Sequence, residues 1–174
     1  FAWLEAHTAR SALIAGEPTL IDGVMLFAKR TAYITTETAH PFYDGYYAMV
    51  KPRLERTLRA HYARTLPELL ALLEPEGVDY FVFERKKFYP EALAAARYFE
   101  PFNGLVRELA SRDWREYAFR QLPRTVNLER FPPMPFRDEV AVVVDLKALR
   151  KWIDSANELP SPGEGAQQVR QGNV

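Results

Sequence analysis

The segment Glu37-Thr-Ala-His-Pro-Phe-Tyr-Asp-Gly-Tyr-Tyr47 gathers the side chains best suited to bind or react. His40 lies between the carboxylates of Glu37 and Asp44, with the phenols of Tyr43, Tyr46 and Tyr47 close by in sequence. Imidazole, carboxylate and phenol together suit a metal, a sugar or a phosphate. The plainer alternative is that His40 hydrogen-bonds the loop backbone while the tyrosines pack it down, and on residue types alone it carries more weight. His61 falls mid-helix and reads as a structural or surface residue. His7 has no evident partner. Arg85-Lys86-Lys87 follows an apolar run and suits phosphate or lipid headgroups, or simply a solvated loop. Phe88, Tyr89, Tyr98, Phe99 and Phe102 read as core.

Other chemistries find no support. The turn after the first apolar run, Gly16-Glu17-Pro18, lacks the further glycines of a dinucleotide fingerprint or a P-loop. No Gly-x-Ser-x-Gly elbow occurs. With no cysteine, thiolate metal sites, iron–sulfur clusters and cysteine nucleophiles are excluded. We expect no cofactor and no metal. Lys+Arg and Asp+Glu both number 23, and the balance holds in each half of the chain, so no overall field favours nucleic acid. No run approaches the ~18 apolar residues of a membrane span. The chain opens on Phe1 rather than Met, so we expect an excised or processed portion of a longer product.

The loop needs a scaffold. Ser11–Gly16 predicts a short buried strand and Thr31–Thr36 a second, with an irregular helical segment over Pro18–Lys29 between them. Tyr47, Val50, Leu54, Leu58 and Tyr62 recur at helical spacing, predicting a helix from about Tyr47 to Ala63 with Pro52 in its first turn or at a kink. Thr65-Leu-Pro-Glu68 is a helix start with a capping box, and Gly77 a helix stop. Val78–Phe83 predicts a third strand. Helices are expected over Pro90–Tyr98, from an Asn103 cap to Ala110, and over Asp113–Gln121. Arg124–Arg130 is a candidate strand, Phe131–Pro135 a loop, Val140–Leu146 a strand and Lys147–Asn157 a last helix. Residues 159–174, rich in Pro, Gly, Gln and Ser, predict a disordered tail. The alternation predicts one α/β domain over residues 1–158: a small, mainly parallel, Rossmann-like sheet flanked by helices, with antiparallel edge strands near the C-terminus. Sites in such sheets form at the C-terminal ends of strands, where the Glu37–Tyr47 loop falls.

An ordered set of motifs adds a resemblance. Leu13-Ile-Ala-Gly-Glu17 is followed by Ala28-Lys-Arg30-Thr-Ala-Tyr-Ile34 and then Glu37-Thr-Ala-His40-Pro-Phe42. Tyr46-Tyr47 leads to Arg53, Arg56 and Tyr62, and Leu72-Leu73 to Gly77-Val-Asp-Tyr-Phe-Val82. This order resembles the soluble extracytoplasmic C-terminal domains of polytopic bacterial membrane proteins related to dolichyl-phosphate-mannose mannosyltransferases, the GT-C class. It covers some 70 of the 174 residues well. The resemblance implies a non-catalytic accessory domain on the periplasmic face of the cytoplasmic membrane. Its partner would be the transmembrane portion of the same polypeptide, and it would help bind a lipid-linked sugar or acceptor. The implied contact surface is Arg30, Glu37, His40, Tyr43, Tyr46 and Tyr47. The catalytic acid of that class lies between early transmembrane helices absent here, so no catalytic residue carries over. The alternative is a free-standing Rossmann-like enzyme or small-ligand binder using the same loop. A deep pocket around His40 would favour that alternative, and a shallow apolar surface near Phe1 or the sheet edge would favour docking to a membrane portion.

Overall fold

The computed structural model describes residues 1–39, 42–98 and 100–158. The expected tail at 159–174, and with it His40 and Phe99, lie outside the described residues. The chain opens with a helix not anticipated from sequence, α1 (Ala2–His7), and then enters β1 (Leu13–Gly16). A 3-10 turn over Leu20–Gly23 and a π-helical turn over Val24–Ala28 return the chain to β2 (Thr31–Ala32). Lys29, at φ 52°, breaks that turn in the left-handed region.

Helix α2 (Asp44–His61) starts three residues earlier than the apolar stripe predicts, which puts Pro52 well inside it. The carbonyl that proline leaves without a donor belongs to Ala48, on the exposed side, where water can satisfy it. α3 (Leu66–Leu73) begins as its sequence predicts: the Glu68 amide donates to Thr65 Oγ1 at 3.1 Å, and Glu68 Oε2 accepts from the Arg64 amide at 2.8 Å. Gly77, at φ 70°, makes the turn into β3 (Tyr80–Glu84).

A 3-10 turn over Arg85–Phe88 leads to α4 (Pro90–Ala94), which ends four residues short of the expected helix. α5 (Phe102–Ala110) has no side-chain cap. Asn103 Oδ1 instead accepts from the Tyr98 amide and pins the preceding loop. Next come a 3-10 turn over Trp114–Glu116 and α6 (Ala118–Gln121).

The candidate strand at Arg124–Arg130 is not formed. Asn127 Oδ1 accepts from the Arg130 amide and the Asn127 carbonyl from the Phe131 amide, so local turn bonds outcompete a ladder. The edge strand is β4 (Phe136–Arg137), just beyond the prolines. β5 (Ala141–Asp145) and α7 (Leu146–Glu158) follow as expected.

The five strands form one sheet in the order β2-β1-β3-β5-β4. β1 pairs parallel with β2 and β3, and β5 pairs antiparallel with β3 and β4. The expected α/β architecture and C-terminal hairpin are present, with β5 inside the sheet rather than at its edge. Phe81, Phe83, Val142 and Val144 face a large core completed by α2, α3, α5, α6 and α7. Here Phe88 and Phe119 stack at 4.3 Å, and Tyr62 and Tyr117 close the group. Ile14, Val82 and Val143 face a smaller cluster with Leu4, Ile21, Val24 and Ala28. Gly16 permits the close approach of β1 to β3, because a Cβ there would lie 2.6 Å from the Val82 carbonyl.

Candidate functional site

The chain leaves β1 toward β2 on one side and reaches β3 on the other. The C-terminal ends of β1 and β3 therefore flank the topological switch point, where crevices form in α/β sheets. Both strands end in an acid, Glu17 and Glu84, and both are almost fully buried at 1% and 3% exposure. Burial of isolated charge is prohibitive, so each must be compensated. Glu17 accepts from the Leu20 amide (2.8 Å) and the Tyr98 hydroxyl (3.0 Å), and its Oε1 lies 3.3 Å from Lys87 Nζ. Glu84 meets Lys86 Nζ at 2.7 Å and Lys87 Nζ at 4.0 Å. The basic run thus neutralises buried carboxylates rather than forming a solvated loop, while Arg85 bonds the Asp138 carbonyl.

The two carboxyls are displaced in opposite directions. Burial pushes Glu17 up, but the His61 ring, once it is protonated in acid, the Lys87 ammonium and the bonds from Leu20 and Tyr98 outweigh it and hold it below the usual carboxylate value. Burial raises Glu84, and the charge on Glu17 raises it further against the pull of Lys86 and Lys87. His61 packs among Tyr62, Phe81, Phe83 and Phe88, with neither ring nitrogen hydrogen-bonded among the described residues. Burial lowers its pKa to about 4, against the opposing charge of Glu17, so it is neutral at physiological pH. His61 is therefore a core residue.

Beside this cluster lies a cleft of about 390 Å³, lined by Tyr62, Lys86, Lys87, Tyr89, Arg97 and Tyr98, with Glu91 at its rim. A smaller hollow, lined by Thr19, Thr36 and again Lys87, Arg97 and Tyr98, adjoins it. Phe88 and Phe102 are core as expected, but Tyr89 is 48% exposed at the cleft.

The sequence-predicted residues are placed differently. Glu37 is exposed, and its amide donates to Asp22 Oδ1 at 3.2 Å, beside a Thr36–Asp22 bond that ties the loop to the 3-10 turn. Tyr43 and Tyr46 are exposed, and the Tyr46 hydroxyl bonds the Thr38 carbonyl. Tyr47 is half-buried against the large core with its hydroxyl unpaired among the described residues. Arg30 is spent inside the fold: Nε donates to Thr8 Oγ1 (2.9 Å), Nη2 to the Glu5 and Thr8 carbonyls (2.6 and 2.7 Å), and Nη1 to the Ala28 and Lys29 carbonyls (3.1 Å each). The described part of the loop thus joins Glu37 and Tyr46 through Thr36–Thr38, with Arg30 engaged elsewhere. The acids Glu17 and Glu84 carry only a weak sequence signal: each stands at the end of an apolar run that forms a strand.

A third feature is apolar. Phe1 stacks on Phe27 at 5.8 Å, and Phe1, Met25, Leu26 and Phe27 are 45–72% exposed. Phe1 also lines a groove of about 230 Å³, together with Trp3, Leu4, Ile21, Val24, Phe136 and Val143. No helix among the described residues is long and apolar enough to cross a membrane.

No protein-family model matches the chain, and no curated protein matches it. Among solved structures it is similar to the C-terminal globular domain of an oligosaccharyltransferase from Archaeoglobus fulgidus, at 10% identity and a TM-score of 0.47, over 83% of this chain and 92% of that one.

Proposed function

We propose that this chain is a non-catalytic accessory domain of a glycosyltransferase-like integral membrane protein. It lies on the extracytoplasmic face and docks against the transmembrane portion of the same polypeptide. The observation that carries this reading is the exposed apolar surface of Phe1, Met25, Leu26 and Phe27, which Phe1 links to the groove beside α1. Large apolar side chains grouped on a surface mark an interaction site. The ordered motifs from Leu13 to Val82 support the same class, and the finer likeness to bacterial mannosyltransferase-type proteins is part of the proposal. In this reading the Glu37–Tyr47 loop, His40 included, helps hold a lipid-linked sugar or acceptor.

The test is site-specific photocrosslinking in the polypeptide expressed from its own gene, with a benzophenone side chain at Leu26 or Phe27. The expected product is an internal crosslink to an apolar segment encoded upstream. Crosslinks to another protein, no crosslinks, or an upstream sequence without apolar segments of ~20 residues would overturn the reading.

A further inference from the structure

The cleft at the ends of β1 and β3 has the composition of a binding site, and its chemistry defines a class of ligand. Glu91, Lys86, Lys87 and Arg97 line the cleft, and the two lysines are paired with Glu84 and Glu17 buried behind its wall, so the local formal charge is balanced. A balanced cleft gives a free anion or cation little net attraction, but it interleaves hydrogen-bond donors and acceptors. The groups left uncommitted are of both kinds. Arg97 and Glu91 make no ion pair among the described residues. Tyr62 is only 4% exposed as a residue, yet it lines the cleft, and its hydroxyl makes no hydrogen bond among the described residues, so it can pair with a ligand there. The Tyr89 ring offers a half-exposed apolar face beside these groups.

We propose that this cleft is a carbohydrate-binding site for a neutral pyranose. A sugar hydroxyl donates and accepts at once, which suits neighbouring carboxylate, guanidinium and phenol groups. The apolar C–H face of the ring would lie on Tyr89, and the Tyr62 hydroxyl would pair with a ring hydroxyl. The buried Glu17–Lys87–Glu84 cluster holds the wall rigid, and the Tyr98 hydroxyl is fixed by its bond to Glu17. The site is distinct from the apolar docking surface and stands whether or not that surface meets a membrane portion.

The experiment is an amide chemical-shift titration of the isotopically labelled 174-residue chain. The probes are methyl α-mannopyranoside, methyl β-glucopyranoside and N-acetylglucosamine, with inorganic phosphate as the charged control. Saturable shifts at residues 17–20 and 85–98 are expected with at least one pyranoside and none with phosphate. Tyr62→Phe removes one oxygen and Tyr89→Ala removes an exposed ring. Each is expected to weaken the affinity at least tenfold while the thermal melt stays within a few degrees of the parent. No pyranoside response, a response to phosphate alone, or shifts that survive both substitutions would overturn the proposal. None of these results bears on the Leu26 and Phe27 crosslinks, so failure of the two proposals can be told apart.

Discussion

On one face of the sheet, Phe81, Phe83, Val142 and Val144 are roofed by α2, α3, α5, α6 and α7. On the other, Ile14, Val82 and Val143 meet only α1 and the 3-10 and π turns of residues 20–28. The first face ends in stacked aromatics and a fully buried histidine, and the second in an open apolar groove lined in part by Phe1. Parallel α/β sheets normally cover both faces. Here the cover is a six-residue helix and short 3-10 and π turns, and part of the apolar face stays open.

Substitutions separate the two faces. Leu58, 1% exposed in the large core, should tolerate no charge: Leu58→Asp is expected to cost more than about 4 kcal/mol and to abolish the cooperative thermal melt. A near-parental melt would break the assignment of that face. Lys87→Met removes the ammonium nearest the buried Glu17 and leaves Glu84 with Lys86 alone, and is expected to cost roughly 3 kcal/mol, measured by urea unfolding. Adding Glu17→Gln should recover part of that loss.

The buried histidine makes the large core pH-sensitive. His61 is depressed from 6.5 to about 4, so its contribution is fully present above pH 6.5 and is lost as pH falls toward 4. That amounts to roughly 3 kcal/mol. Glu17, also depressed, adds to the loss in acid, whereas Glu84, raised, works the other way and favours the folded state at low pH. His61→Phe should flatten the fall in melting temperature between pH 6.5 and 4. It should leave neutral-pH stability equal or higher, because two unbonded nitrogens are removed. On the open face, Leu26→Asp should change stability by no more than about 0.5 kcal/mol while eliminating crosslinking to a membrane partner.

What the sequence made legible follows from how locally each feature is encoded. Thr65 to Glu68 form a cap because donor and acceptor are three residues apart, and β3 and β5 announce themselves as apolar runs between turns. The edge strand differs from the sequence expectation because Arg124–Arg130 has strand-like composition, while Asn127 diverts its backbone into turns and two residues after Pro135 do the pairing. The Glu37–Tyr47 loop drew attention because its polar groups are consecutive. The Glu17–Glu84 pair escaped because its members are 67 positions apart and meet only through the parallel pairing of β1 and β3. An acid closing a buried strand is the one local sign of it.

Arg30 bears on how the molecule breathes. Its guanidinium holds two carbonyls at the end of α1 and two at the end of the π turn. α1 has no side-chain N-cap, and Leu4 is its one buried residue. The first helix therefore behaves as a latch, closed by Arg30 together with the Glu5–Lys29 ion pair and the packing of Trp3 on Phe136. Its opening free energy lies well below that of global unfolding, so the Ala2–Thr8 amides should exchange with solvent through their own local event. Each opening lengthens the apolar trough down to Ile14 and Val143 without disturbing the aromatic core across the sheet.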